Sequence, residues 1–142
     1  MIDGETDEIA ILSTVVCELH HAFEWYDWTG FYRCIADNEL AVGPYQGGHG
    51  CLRIPFDRGI CGAAARERRT QLVPDVRARP DHIACASATQ SEIVVPLTAP
   101  HGRLIAVLDV DSNTPAAFDT VDQRALETLC AELGRQIRSI RL

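Results

Sequence analysis

Three of the six cysteines in this chain lie at the edges of loops, where a side chain can reach a substrate. Cys51, Cys61 and Cys85 each have a glycine or an alanine beside them in the sequence. A thiolate in such a position can attack an electrophile, and two neighbouring thiols can form and exchange a disulfide. These residues are therefore the candidates for redox chemistry.

Cys61 and the histidine near Cys85 each have two interpretations. Cys61 begins an alanine-rich segment that is predicted to be helical over residues 59–69, and a helix N-terminus lowers the pKa of a thiol. It can equally fill a tight contact between this helix and a sheet. His82 lies three residues before Cys85 and either assists ionisation of that thiol or faces solvent.

The other cysteines, Cys17, Cys34 and Cys130, fall in predicted helices and a strand, and we expect them to be core residues. The chain has no C-x-x-C pair, and the spacings of Cys51, Cys61 and Cys85 match no common zinc pattern. We therefore predict no metal site and no framework of structural disulfides, although three thiols brought together by folding can bind a metal ion adventitiously.

A second group of candidate residues is acidic. Glu92 begins a predicted strand, while Asp109 and Asp111 end the next one on a shared face, because side chains alternate along a strand. Crowded carboxylates repel one another, which raises the pKa of at least one of them. Such a cluster can bind an ammonium group, and its protonated member can donate a proton to a developing oxyanion. A solvated strand end is the alternative interpretation.

The pattern of apolar residues predicts one α+β domain over residues 1–142. Amphipathic helices are predicted near both ends, with apolar faces at Ile9, Leu12, Val16, Leu19 and Phe23 and at Leu126, Leu129, Leu133, Ile137 and Ile140. Between them lie predicted strands at 28–35, 40–42, 71–73, 91–98 and 103–110, with a glycine-rich loop at 43–50. A turn at Asp37 and Asn38 and another at 100–102 predict two β-hairpins, and the second places Glu92 and Asp111 near the same end. Asp119 is predicted to cap the last helix. Strands paired with strands indicate one antiparallel sheet, with the N- and C-terminal helices packed on one face.

Composition excludes several classes of function. The formal net charge is −7 and all 13 basic residues are arginines, so no basic stripe is present to bind nucleic acid, and a lysine Schiff base is excluded. No apolar run approaches the ~20 residues of a membrane span. The acidic N-terminus does not resemble a signal peptide, and we therefore expect a cytoplasmic protein.

Short motifs along nearly the whole chain resemble the free methionine-(R)-sulfoxide reductases, a family of stand-alone GAF domains. The motifs are WTGFY at 28–32, GPYQG at 43–47, CLRIP at 51–55, GICG at 59–62, VPDV at 73–76, HIAC at 82–85, SEIVVPL at 91–97 and LDVDS at 108–112. Generic GAF domains lack this combination of cysteines and acids. The chain departs from the family in its shorter N-terminus and at Ala86, where relatives commonly have aspartate.

The resemblance implies a role for each candidate residue. Cys85 matches the nucleophile, Cys51 the main resolving cysteine, and Cys61 a third cysteine that can also form a disulfide. Glu92, Asp109 and Asp111 match the acidic substrate-binding residues. Trp28 and Tyr32 can wall the methyl-sulfoxide end of the substrate, but as strand aromatics they are predicted to be core residues.

The implied reaction is thiol-dependent reduction of free methionine (R)-sulfoxide, with thioredoxin and NADPH as an external reducing system and no bound cofactor. A GAF module that binds a small ligand such as a cyclic nucleotide, or a thiol redox sensor without turnover, is the alternative. GAF domains often dimerise through their terminal helices, and the apolar face of the last helix can serve either the core or a homodimer. The sequence leaves the oligomeric state and the disulfide pairing open.

Overall fold

A computed structural model of the protein describes residues 1–140, with side chains as far as Ile137. The elements in chain order are α1 (Glu8–Ala22), β1 (Trp28–Ala36), β2 (Glu39–Gln46), β3 (Arg53–Pro55), α2 (Gly59–Glu67), β4 (Gln71–Val73), a 3₁₀ turn (Val76–Ala78), β5 (Ser91–Thr98), β6 (Leu104–Ser112) and α3 (Thr120–Ile140). The side chain of Ile140, predicted on the apolar face of the last helix, lies outside the described residues.

One six-stranded antiparallel sheet has the strand order β3-β2-β1-β6-β5-β4. The predicted α+β class and both predicted hairpins, β1–β2 and β5–β6, are confirmed. The predicted loop at 43–50 is wrong in its first half, since residues 43–46 continue β2, and Tyr45 and Gln46 pair with β1. The loop begins at Gly47, whose φ of +114° favours glycine.

The terminal helices pack on the same face of the sheet, as predicted. The core on this side contains Ile11 and Leu12 of α1, Leu133 and Ile137 of α3, and alternate residues of β5 and β6. The prediction for Ile9 is wrong because this side chain is 55% exposed. Ile9 lies in the first turn of α1, about 90° around the helix from the centre of the face formed by Ile11, Leu12, Val15 and Val16, and is therefore at the edge of the buried face.

The opposite face of the sheet is also covered, which the sequence prediction did not include. Helix α2 packs there through Ile60, Ala64 and Ala65, against Val94 and Val107 of the central strands. The small side chains of α2 permit this close approach, and a Cβ added at Gly62 would lie 2.8 Å from the carbonyl oxygen of Pro55. The candidate site lies on this second face.

Side-chain caps fix the N-termini of the long helices. Asp7 accepts a hydrogen bond from the amide of Ala10 at the start of α1. Asp119 accepts from the amides of Val121 and Asp122, as predicted for the start of α3, and its own amide donates to Asp122. Among the described residues, no helix is long and apolar enough to cross a membrane.

Candidate active site

Strand register brings the three acidic residues together on the second face of the sheet. Glu92 in β5 lies directly opposite Asp111 in β6, so the two residues are at the same end of the hairpin, as predicted. Asp109 lies two residues before Asp111 and therefore points to the same face. Its partner in β1 is Gly30, where an added Cβ would lie 2.6 Å from the ring of Trp28, so that the indole takes the place of a side chain there.

These carboxylates are buried, which rejects the interpretation of a solvated strand end. Glu92 is 5% exposed, Asp109 is 4% exposed, and Asp111 is half-buried. Burial raises the pKa of all three well above the usual range, and their mutual charge repulsion raises it further. The cluster therefore holds a proton to a higher pH than an exposed carboxyl does, as the sequence predicts.

Cys51 and Cys85 are joined by a disulfide with a Cα–Cα distance of 5.5 Å. They come from two loops that are 34 residues apart in sequence, between β2 and β3 and between the 3₁₀ turn and β5. Both residues are half-buried, and Cys85 lines the same pocket as the acidic cluster. The pairing that the sequence left open is therefore Cys51 with Cys85.

Cys61 lies in the first turn of α2 and is a free thiol, 5% exposed. The expectation that the helix N-terminus lowers its pKa is wrong: burial, and then the nearby charges of Asp109 and Glu92, raise the pKa of the thiol. Full desolvation and the nearby carboxylates outweigh the helix dipole here. Cys61 therefore lies at the floor of the pocket as a protonated thiol.

An aromatic wall closes one side of the pocket. Trp28 and Tyr32 stack with ring centroids 5.6 Å apart, and the indole Nε1 donates a 2.7 Å hydrogen bond to the carbonyl of Gly48. The two rings are 5% and 2% exposed, so the prediction of core aromatics is correct, but both also line the pocket. A Cβ added at Gly50 would lie 2.8 Å from the Tyr32 hydroxyl oxygen, so this position requires a small residue.

The interpretation of His82 as a solvent-facing histidine is wrong. Its side chain is 16% exposed, and its Nε2 lies 3.9 Å from Oε1 of Glu92. Burial lowers the pKa of His82. The neutral imidazole therefore faces the acidic cluster, as a part of the pocket wall.

Sequence reasoning missed several further pocket residues. His49, Ile83 and Thr89 also line the pocket. Ile83 packs over Gly59, which has a φ of +70° and whose added Cβ would lie 3.0 Å from the Ile83 side chain. A glycine just before a helix was the one signal for this contact, and the loop residues themselves carry no periodic pattern.

The three cysteines predicted in the core differ in their surroundings. Cys130 is 2% exposed in the core beneath α3, as predicted. Cys34 is half-buried against the second core. Cys17 is outside both cores, with its Sγ 3.7 Å from Nδ1 of His21, so the prediction for this residue is wrong.

The buried carboxylates predict an unusual dependence of stability on pH. Because the pKa of Asp109 is raised on folding, the native state binds its proton more tightly than the unfolded state, and the stability that this residue contributes falls as pH rises. Asp109→Asn removes this titration. We expect its melting temperature, relative to the wild type, to rise between about pH 5 and about pH 8.

Thermal unfolding of both proteins in the disulfide form measures this difference. Asp119→Asn is the matched control, since the pKa of Asp119 is lowered and the residue is ionised in both states throughout this range. If the difference in melting temperature between Asp109→Asn and the wild type is constant with pH, the conclusion that burial raises the pKa of Asp109 is contradicted.

The fold and the paired thiols beside buried carboxylates define a GAF domain with a redox-active pocket, and the family model of the GAF domain matches residues 5–138. The chain is 40% identical over 139 residues to the free methionine-R-sulfoxide reductase of Saccharomyces cerevisiae, covering 94% of this chain and 77% of that protein. It is 38% identical over 135 residues to the enzyme of the same name from Escherichia coli, covering 95% and 81%. The chain belongs to the free methionine-R-sulfoxide reductase family.

A solved structure of a family member is similar over the whole fold. The free methionine-R-sulfoxide reductase of Neisseria meningitidis, in complex with its substrate, superimposes with a TM-score of 0.93 at 45% identity and covers 99% of this chain and 83% of its own. The expected family is therefore confirmed.

Proposed function

We propose that this chain reduces free L-methionine (R)-S-oxide to L-methionine by thiol chemistry. The observation that carries the proposal is the Cys51–Cys85 disulfide beside a pocket whose floor holds buried carboxylates. A nucleophilic thiol and a proton donor are the two groups that sulfoxide reduction requires. The solved complex of the Neisseria meningitidis relative with its substrate supports this assignment.

In the first step, the Cys85 thiolate attacks the sulfoxide sulfur and the oxygen takes a proton. The sulfoxide gains two electrons and leaves as the thioether of methionine, while the Cys85 sulfur becomes a sulfenic acid. Glu92 is suited to supply the proton, since burial and the charge of Asp109 raise the pKa of its carboxyl. A protonated carboxyl in a dry pocket donates to the oxyanion as it forms.

In the second step, the Cys51 thiol condenses with the sulfenic acid of Cys85. Water leaves, and the disulfide present in this structure forms. A dithiol reductant of the thioredoxin class then exchanges with this disulfide and restores both thiols. No bound cofactor is needed, because NADPH supplies electrons through the reductant.

Selection for the free amino acid follows from charge. The Glu92, Asp109 and Asp111 cluster attracts the α-ammonium group of free methionine sulfoxide, which a residue inside a peptide lacks. Among the described residues that line the pocket, no lysine or arginine neutralises these carboxylates. Trp28 and Tyr32 offer an apolar wall for the methyl and methylene groups.

The surface beside the disulfide is suited to a protein reductant. Leu52 follows Cys51 and is 74% exposed, so an apolar side chain stands next to the sulfur that a reductant must reach. We expect Leu52→Ser to slow thioredoxin-driven turnover about threefold to tenfold while turnover with dithiothreitol is unchanged. Val121→Ser, which removes another exposed aliphatic side chain (67% exposed) on α3, should alter neither rate. An equal loss of turnover with thioredoxin and with dithiothreitol in Leu52→Ser would contradict a role of Leu52 in docking the reductant.

The cytoplasm, where such reductants keep thiols reduced, is the compartment that fits this cycle. A homodimer through the terminal helices is a further part of the proposal. The described apolar face of α3 is buried in its own core through Leu133 and Ile137, so a dimer would use other side chains of these helices. Light scattering of the purified protein measures the assembly.

A coupled assay tests the proposed function. Thioredoxin, its reductase and NADPH are mixed with the protein and with one of three substrates: free (R)-sulfoxide, free (S)-sulfoxide or a peptide-bound sulfoxide. We expect NADPH oxidation with the free (R) form alone. A ligand-binding GAF module or a redox sensor would show no sustained oxidation with any of them, and equal rates with the peptide would contradict ammonium recognition.

A further inference from the structure

One thiol and two carboxylates meet at the floor of the pocket. The Sγ of Cys61 and one carboxylate oxygen each of Glu92 and Asp109 all lie within 4.8 Å of one another. They come from three different elements, α2, β5 and β6, so the sheet and the helix packed on it hold them in place. All three residues are at least nine-tenths buried, with 5%, 5% and 4% exposure.

The surroundings of Asp109 are a second observation, and they indicate a positively charged ligand. Oδ1 of Asp109 is fully buried and has no hydrogen-bond partner among the described residues, although a buried carboxylate oxygen is costly to leave unsatisfied. Two further acids lie close by, since Asp111 is two residues away and Glu92 lies across the strand pair. The basic groups that act on Glu92 are His82, whose pKa is lowered by burial, and Arg79, which is paired with Asp81. The orphaned oxygen therefore faces a pocket that is suited to a positive ligand.

We propose that Cys61, Glu92 and Asp109 form a binding site for a divalent zinc ion, which excludes the amino-acid substrate. Zinc accepts thiolate and carboxylate ligands together, whereas magnesium and calcium prefer oxygen alone. On binding, the Cys61 thiol and any carboxyl of Glu92 or Asp109 that still holds a proton release their protons to solvent, and bonds from sulfur and oxygen to zinc form with no change in oxidation state. Three protein ligands leave a fourth position for water.

The geometry requires a small closure of the site. Sulfur and oxygen ligands lie about 2.3 and 2.1 Å from zinc, so tetrahedral ligands are separated by about 3.6 Å. The three atoms must therefore approach one another by up to about 1 Å, which rotation of the Glu92 and Asp109 side chains can supply. The ion would then occupy the position that the proposed function gives to the substrate ammonium group, so the exclusion of substrate rests on that function.

Zinc binding to the disulfide form tests the site without turnover. In this form Cys51 and Cys85 cannot be ligands, and the remaining thiols are Cys17, Cys34, Cys61 and Cys130. Zinc affinity is measured by competition with a chromophoric chelator, and cobalt(II) is used as a spectroscopic probe of sulfur ligation. We expect one ion per chain, a sulfur-to-cobalt charge-transfer band, and affinity weakened by free methionine sulfoxide.

Four variants separate this site from a surface site. Cys61→Ser should lower the zinc affinity at least about tenfold and abolish the cobalt band. Asp109→Asn should lower the zinc affinity by a similar factor, and it serves as the test if Cys61→Ser does not fold. Cys130→Ser is the matched buried-thiol control and should bind as the wild type does. Cys17→Ser tests the exposed thiol that lies beside His21.

The outcomes are distinct from those of the reductase assay. Wild-type zinc affinity in both Cys61→Ser and Asp109→Asn would overturn the proposed zinc site. Loss of zinc affinity in Cys17→Ser alone would also overturn it. Zinc binding at Cys61 that free methionine sulfoxide does not weaken would overturn the exclusion of substrate. Zinc binding is measured on the disulfide form, which cannot reduce a sulfoxide. A protein that binds no zinc can therefore still be an active reductase, and a protein without reductase activity can still bind zinc.

Discussion

Cys85→Ser should lower turnover of free methionine (R)-sulfoxide by at least about 1,000-fold, since the hydroxyl of serine cannot take the place of a sulfur that is oxidised and reduced in each cycle. The same variant also loses the disulfide to Cys51, so its fold must be checked by circular dichroism. Cys130→Ser, which removes a buried thiol from the other core, should retain wild-type activity.

Cys51→Ser separates the two thiol roles. Its Cys85 thiol can still attack, so one equivalent of methionine should form per chain before the enzyme stops as a sulfenic acid. Rapid quenching and quantification of methionine measure this burst. Full turnover in Cys85→Ser would remove Cys85 as the nucleophile, and absence of a burst in folded Cys51→Ser would contradict the order of the two steps.

Glu92→Gln should lower kcat/KM for the free (R)-sulfoxide about 10-fold to 100-fold. The amide keeps the shape of the side chain but loses the acidic proton that reaches the oxygen, and a hydrogen bond to a charged group contributes about 1.5–3 kcal/mol. Asp109→Asn should act mainly through KM, because it removes charge from substrate capture rather than the proposed proton donor.

Steady-state kinetics with each variant measure these changes. Glu39→Gln is the control, since Glu39 pairs with Arg53 at the surface at 2.8 Å and is outside the pocket. Unchanged kinetics in both Glu92→Gln and Asp109→Asn would remove the acidic cluster from substrate recognition.

Much of the fold follows from local pattern. The turn at Asp37 and Asn38 and the periodic faces of the terminal helices are short-range signals, and the elements that they predict are present in the structure. The second covered face was missed because α2 is a helix of nine residues, and its sequence does not say against which face of the sheet it packs. Close packing of a helix on a sheet depends on the tertiary structure and is not visible in one segment.

The candidate site was predictable in its residue types and less so in its electrostatics. Alternation along β6 predicted that Asp109 and Asp111 share a face, and the turn between the strands predicted that Glu92 is nearby. The protonation of Cys61 could not be predicted in this way, because it depends on complete burial beside carboxylates from other elements. The same reason explains His82, whose burial depends on a loop that folds back over the sheet.

A single-turnover experiment tests the central claim most directly. Fully reduced protein, without any external reductant, is mixed with an excess of free methionine sulfoxide that contains both sulfur epimers, and the products and the disulfide are analysed together. The proposal predicts that one equivalent of the (R) epimer is converted to methionine, that the (S) epimer is unchanged, and that peptide mapping finds Cys51 joined to Cys85. Equal consumption of both epimers, or methionine formation with these two thiols still free, would contradict it.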